Sequence, residues 1–182
     1  KIKVTYEEYP VYLTPQAAVA PDARRIHAER DNIIANTNVG FGEIDTGLAE
    51  ADVVIKEEFS TGVQQHAHME KQVAVAYRGE DQRWICISST QIPHICRRII
   101  GQALGLPWSQ IRVKKPFIGG GFGNKQDITI EPLVVALSML CGGRPVKINL
   151  TREESLANTR TRHAIDYQVA LGVNASLVTR TC

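Results

Sequence analysis

The hydrophobic period of the chain switches between two residues and three to four, and each switch marks an element. Ile2, Val4 and Tyr6 alternate with Lys3, Thr5 and Glu7, the pattern of a half-buried strand. Pro10 and Pro15 interrupt the next stretch, and Thr14 is placed to cap a short helix with Pro15 at its first position. Residues 21–42 are polar and weakly periodic, with Asn32, Asn36, Asn38, Gly40 and Gly42, and read as a surface linker. A short helix is expected over 47–52, followed by strands over 53–60, 73–78 and 84–88. The last two read as a hairpin turned through Gly79-Glu80-Asp81-Gln82. Around 93–104, Ile92, Ile95, Cys96, Ile99, Ile100, Ala103 and Leu104 recur at helical spacing as one buried face. Arg97, Arg98 and Gln102 lie opposite, and Gly105 ends the helix as a C-cap. A strand over 111–115 runs into a glycine cluster. Pro132 opens a second apolar helix that continues through Cys141 and stops at Gly142-Gly143. A strand over 146–150 comes next, and Thr151 with Glu154 three residues on forms a capping box for a helix over 152–158. Interleaved helices and strands predict an α+β (mixed α/β) class.

Composition narrows the function classes. At 182 residues the chain is one domain, or a domain with a fragment of another. Lys plus Arg (21) against Asp plus Glu (19) gives a net charge of +2, too balanced to argue for nucleic acid or an anionic membrane surface. No run approaches the roughly 18–20 apolar residues of a membrane span. The four cysteines, Cys86, Cys96, Cys141 and Cys182, are scattered without a CxxC pair, so zinc-ribbon, iron–sulfur and thioredoxin-type spacings are all missing. Cys86, Cys96 and Cys141 sit among apolar residues and read as buried thiols of a reducing compartment, hence a cytoplasmic location. No signal-peptide pattern opens the chain, and both ends read as cut, so a longer polypeptide is expected.

The segment richest in chemistry is Pro116-Phe117-Ile118-Gly119-Gly120-Gly121-Phe122-Gly123-Asn124-Lys125-Gln126-Asp127. Glycines there let the backbone reach positive φ and approach a ligand closely, with amide N–H groups turned outward. A P-loop is excluded because Lys125 is preceded by Asn124 and followed by Gln126. The GxGxxG fingerprint fails as well, since its last glycine would fall on Asn124. From the residues alone, the loop is either a close approach to a ligand or a tight turn around a buried Phe122. His66 and His68 form an HxH that would share one face of a strand, read as ordinary hydrogen-bonded histidines rather than metal ligands. Arg160 and Arg162 beside His163 read equally as a phosphate site or a solvated basic patch. No nucleophile–base or paired-carboxylate arrangement supports hydrolysis.

The run Gly119-Gly120-Gly121-Phe122-Gly123-Asn124-Lys125 resembles the glycine loop of the molybdenum hydroxylases, the xanthine dehydrogenase and aldehyde oxidase family. Further matching segments keep the family order. They are Gln64-Gln65-His66-Ala67-His68-Met69-Glu70, Ser88-Ser89-Thr90-Gln91, Gly101-Gln102-Ala103-Leu104-Gly105-Leu106-Pro107, Ile111-Arg112-Val113, Gly143-Arg144-Pro145-Val146, Thr151-Arg152-Glu153-Glu154 and Arg160-Thr161-Arg162-His163. Within the family the likeness is to the molybdenum-binding subunits of bacterial xanthine dehydrogenases.

The resemblance implies residues 1–20 as the end of a hammerhead-type domain, 21–52 as linker, and 53–182 as the N-terminal part of a molybdopterin-binding catalytic domain. It implies molybdenum held on a pyranopterin, as a dinucleotide, so that the chain itself need not supply a ligand cluster. Gly120, Gly121 and Phe122 match cofactor-contacting positions. Gln91 and Phe122 match positions beside the metal, Gln91 as a neutral amide donor toward an oxygen ligand of molybdenum. The implied reaction inserts a water-derived oxygen into a purine or related N-heterocycle. Electrons leave through FAD and [2Fe–2S] clusters on partner subunits or domains of an oligomer. The family's catalytic glutamate lies beyond this chain, so the chain alone is expected to be inactive. One position departs from the pattern: Gln126 stands where xanthine-oxidising members carry a glutamate. An amide both donates and accepts, whereas an ionised carboxylate can only accept. Another purine, a different N-heterocycle or an aldehyde therefore competes with xanthine as substrate. A non-catalytic nucleotide- or cofactor-binding module is the remaining alternative.

Overall fold

The computed structural model describes residues 3–175. The chain divides into two units, one formed by residues 3–54 and 171–175 and the other by Ile55–Ala170.

The first unit contains no buried residue among those described. The expected N-terminal strand is not present over residues 3–13: Val4 and Tyr6 are exposed and the backbone makes no ladder. An alternating pattern without a neighbouring strand leaves both backbone edges to solvent, and Ile2 lies outside the described residues. Helix α1 (Pro15–Ala18) is capped as expected, with the Ala17 N–H donating to Thr14 Oγ1 at 3.2 Å. Helix α2 (Ile44–Ala49) begins three residues before the expected position, with Glu43 as an N-cap that makes no side-chain bond. In the polar stretch between them, Asn32 organises the turn. Its amide donates to the Ala18 and Arg24 carbonyls and its oxygen accepts from the Ile26 N–H.

The second unit carries the core. Strands β1 (Val53–Thr61) and β6 (Ile165–Val173) pair as a two-stranded sheet. The main sheet contains β2 (Val73–Arg78), β3 (Trp84–Ser88), β4 (Ile111–Lys114) and β5 (Val146–Asn149), in the order β4-β3-β2-β5. The predicted β2–β3 hairpin is antiparallel with Ala76 opposite Cys86, and β5 joins the other side of β2, also antiparallel. β4 lies parallel to β3, as the helical crossover between them requires.

Helices α3 (Pro93–Leu104) and α4 (Glu131–Leu140) cover the sheet, α4 over β2, β3 and β5, and α3 against β4 and α4. Ala74, Ala76 and Cys86 from the sheet meet Cys96 and Ile100 of α3 and Val134 and Val135 of α4. Small residues on the strands let the helices approach, and the branched ones fill the layer between. The buried face of α3 is narrower than its spacing predicts. Cys96, Ile100 and Gly101 are buried, while Ile95 and Ala103 are exposed. Gly105 adopts the left-handed conformation expected of a C-cap, φ 65°, and the Leu106 N–H returns to the Gly101 carbonyl. Cys86 and Cys96 are buried as expected, but Cys141 is exposed, because α4 ends there and carries it past the edge of the core. Cys182 lies outside the described residues. Helix α5 (Arg152–Asn158) starts with the predicted capping box: Thr151 Oγ1 accepts from the Glu154 N–H and the Glu154 carboxylate accepts from the Thr151 N–H.

Candidate functional site

The strand directions gather four separate segments at one edge of the main sheet. β3 and β4 run parallel and end there, while β2 begins there and β5 ends beside its start. Residues leading into β2 (His68–Gln72), leaving β3 (Ser89–Gln91), following β4 (the glycine loop) and leaving β5 (Thr151–Arg152) therefore meet. The mouths of loops at the carboxyl ends of parallel strands are a recurrent ligand position in such sheets.

The glycine loop follows β4 after four intervening residues rather than directly. Gly120 and Gly123 have φ of 93° and 94°, and Phe122 between them has φ 52°, the left-handed region that a non-glycine residue rarely enters. Phe122 is 72% exposed, so the alternative of a tight turn around a buried phenylalanine is not what forms. A Cβ added at Gly121 would stand 2.5 Å from Gln91 Oε1 and 2.8 Å from its Cδ, so any side chain there would push the Gln91 carboxamide from its place. Gln91 Oε1 in turn accepts from the Gly123 N–H at 3.1 Å, and the Gln91 N–H donates to the Lys125 carbonyl at 2.9 Å. The carboxamide is thus fixed by its oxygen on either side of Phe122, with its NH₂ group as the remaining donor. Gln126 ends a 3-10 turn (Asn124–Gln126) and is exposed.

Behind the loop the chemistry is different. Asn124 is 1% exposed, and its side chain joins four segments. Its NH₂ donates to the Arg160 carbonyl at 2.8 Å, Thr159 Oγ1 at 2.9 Å and Gln65 Oε1 at 3.2 Å. Its oxygen accepts from Gln72 Nε2 at 2.5 Å and faces His68 Nε2 at 3.1 Å. Lys125 is 3% exposed and pairs with the Glu70 carboxylate, Nζ to Oε2 2.6 Å. Arg152 spans two successive carbonyls, those of His68 and Met69, at 2.8 Å each.

His66 and His68 do not share a strand face. Ala67 between them has φ 47°, and only Gln64, through a bridge to Arg162, makes a strand contact here. His68 is a buried, hydrogen-bonded histidine whose Nδ1–H donates to the Glu70 carbonyl, whereas His66 turns toward an open pocket. That pocket, about 480 Å³, lies beside Phe122 and Gly123 and is lined also by His66, Arg160, Arg162 and His163. Arg160 is not free in it, being paired with Asp127. Gln91 and Gln126 do not line it. Among the described residues, no three histidine, cysteine, aspartate or glutamate side chains come together as a metal site, and no helix is long and apolar enough to cross a membrane.

Burial pushes the Cys86 thiol up to about 12, with the Glu131 carboxylate adding to the effect, and raises Cys96 for the same reasons. Glu131 is itself buried, accepting from Ser88 Oγ and from the Thr129 and Ile130 N–H groups. These thiols are structural and inert as nucleophiles.

Sequence reasoning brought Gln91, Gly121 and Phe122 forward; the structure packs the Gln91 carboxamide on Gly121 and Gly123, while the exposed Phe122 ring lines a pocket that Gln91 and Gln126 do not reach. It missed Glu70, Asn124, Lys125 and Arg152 as a supporting set. The one signal available was an unpaired-looking lysine inside an otherwise uncharged glycine loop.

Residues 26–177 match the model of the molybdopterin cofactor-binding domain. The chain is 45% identical over 173 residues to a protein of Escherichia coli K12 described as a putative xanthine dehydrogenase molybdenum-binding subunit, covering 95% of this chain and 23% of that protein. It is 35% identical over 164 residues to an aldehyde oxidoreductase of Megalodesulfovibrio gigas, 89% of this chain and 18% of the relative. Among solved structures, an aldehyde oxidoreductase from Desulfovibrio gigas matches with TM-score 0.81 at 30% identity, over 94% of this chain and 19% of that one. A quinoline 2-oxidoreductase from Pseudomonas putida 86 matches with TM-score 0.80 at 27% identity, over 94% of this chain and 22% of that one. The chain therefore spans about a quarter or less of these relatives. It belongs to the molybdopterin cofactor-binding domain family, with the mixed α+β fold of that domain.

Proposed function

With membership of the molybdopterin cofactor-binding family as premise, we propose that this chain is part of the molybdenum-binding subunit of a xanthine dehydrogenase-like hydroxylase acting on a purine or related N-heterocycle. The observation that carries the reading is the docking of the Gln91 carboxamide on the glycine loop. Its oxygen is taken by Gly123 and its bulk fills the space a Cβ at Gly121 would need, which turns the NH₂ into a fixed neutral donor. The residues present suit the cofactor. Gly120 and Gly121 keep the loop free of side chains beside the exposed Phe122 ring, and Gln91 adds a hydrogen-bond donor without adding charge. When bound, the molybdenum–pterin group, taken as a dinucleotide, supplies two-electron redox chemistry with oxygen from water. The chain's residues hold and orient.

Under the same reading, Gln91 and Phe122 stand beside the metal and Gln126 contacts the substrate. FAD and [2Fe–2S] centres sit on partner subunits or domains, the assembly is oligomeric and cytoplasmic, and residues 1–20 close a preceding hammerhead-type domain. The neutral Gln126 keeps an aldehyde in view as the alternative substrate class. The test is made on the complete protein produced with molybdate. Molybdenum should co-purify, and Gln126→Glu should shift relative kcat/KM across a panel of purines and aldehydes by about 1–3 kcal/mol, the scale of one altered polar contact. Protein free of molybdenum would end the reading, and unchanged ratios would remove Gln126 from the substrate pocket.

A further inference from the structure

A lysine with 3% exposure requires a reason, since buried ammonium groups are costly and a buried ion pair adds little net stability over apolar packing. The geometry around Lys125 supplies one. Its partner, Glu70 Oε2, accepts from Lys125 Nζ at 2.6 Å and also from the Gly119 N–H at 3.2 Å. Gly119 opens the glycine loop and Lys125 closes it, so one carboxylate oxygen ties the two ends of a seven-residue loop. The Glu70 N–H takes the Gly119 carbonyl at 3.0 Å, which leaves Gly119 held at both of its polar groups. A Cβ at Gly119 would stand 2.7 Å from Glu70 Cβ, so the approach is as close as the backbone permits. Glu70 is itself braced, by His68 Nδ1 on its carbonyl and by Arg152 on the two carbonyls before it. At the exit of the loop, the Lys125 carbonyl accepts from the Gln91 N–H.

We infer that Glu70 is a latch that sets the span of the glycine loop, with Lys125 as its far anchor. Both are positioning residues for cofactor retention, acting through Gly119–Gly123 and Gln91. The inference rests on the proposed cofactor role of the loop. What retains the cofactor is the shared oxygen acceptor, not the negative charge.

The experiment compares wild type, Glu70→Ala, Lys125→Met and Glu70→Gln in the complete protein produced with molybdate. It reads molybdenum per folded protein, the rate of molybdenum loss on gel filtration, and the thermal midpoint of the cofactor-free form. Glu70→Ala and Lys125→Met should each lower molybdenum content at least tenfold, and a Glu70→Ala/Lys125→Met double variant, made alongside them, should be no worse than Glu70→Ala. Glu70→Gln keeps an oxygen in place and should stay within about threefold of wild type even where its thermal midpoint falls. Equal loss in Glu70→Gln and Glu70→Ala overturns the latch, because charge would then be the operative property. So does normal content in Glu70→Ala, or loss that only tracks the fall in thermal midpoint. Absence of molybdenum from wild type would instead overturn the cofactor reading on which the inference stands.

Discussion

On the outward side of the glycine loop, Gly120 and Phe122 stand at positive φ with the phenyl ring largely in solvent. On the inward side, two residues further on, Asn124 and Lys125 are almost wholly enclosed and bond to Gln65, Glu70, Gln72, Thr159 and the Arg160 carbonyl among others. A strained, bare backbone is tolerated in front because polar contacts over-determine it from behind. Binding surface and anchorage are thereby separated within seven residues.

The sharpest way to break this contrast is to add bulk where the loop meets Gln91. Gly121→Val should abolish molybdenum loading of the complete protein, because its Cβ would overlap the Gln91 carboxamide; normal molybdenum by metal analysis would refute it. Next in size is removal of the inward hub. Asn124→Ala removes the donor to the Arg160 carbonyl and leaves the buried Gln72 amide with only its long contact to His68 Nε2, and should cost about 3 kcal/mol in urea unfolding.

A third test moves to the core behind the loop. Cys86 and Cys96 stay protonated in the native state well above the usual thiol range, whereas the unfolded chain ionises them near 9. Above that pH the unfolded state binds fewer protons, so stability falls as pH rises toward 12. The slope is up to about 1.4 kcal/mol per pH unit for each thiol. Urea midpoints at pH 8 and pH 10 should therefore draw closer together in Cys86→Ala than in wild type, and an identical pH loss would reject the assignment. The smallest effect belongs to the exposed ring: Phe122→Ala should change cofactor-free stability by less than about 0.5 kcal/mol, and a larger loss in the same urea assay would mean the ring packs after all.

What the sequence made legible was governed by range. The Thr151–Glu154 capping box, the Gly105 cap and the β2–β3 turn each depend on residues three to five apart, and each formed where expected. The HxH strand, the exposed ends of the α3 stripe and the outward turn of Cys141 were misread because neighbours from elsewhere decide burial and register. At the candidate site, the loop and Gln91 were legible through resemblance. Their supports were not. Glu70 and Lys125 are 55 residues apart, and Asn124 meets Gln72 across 52, separations at which no local pattern survives.

The meeting of four segments at a single sheet edge bears on protein engineering. Grafting the stretch from Gly119 to Lys125 onto another scaffold would carry across a sequence without its shape, since the carboxylate, the carboxamide and the guanidinium that mould it arrive from three other segments flanking the strands. The smallest transferable unit is the edge itself, with all four strand ends in register.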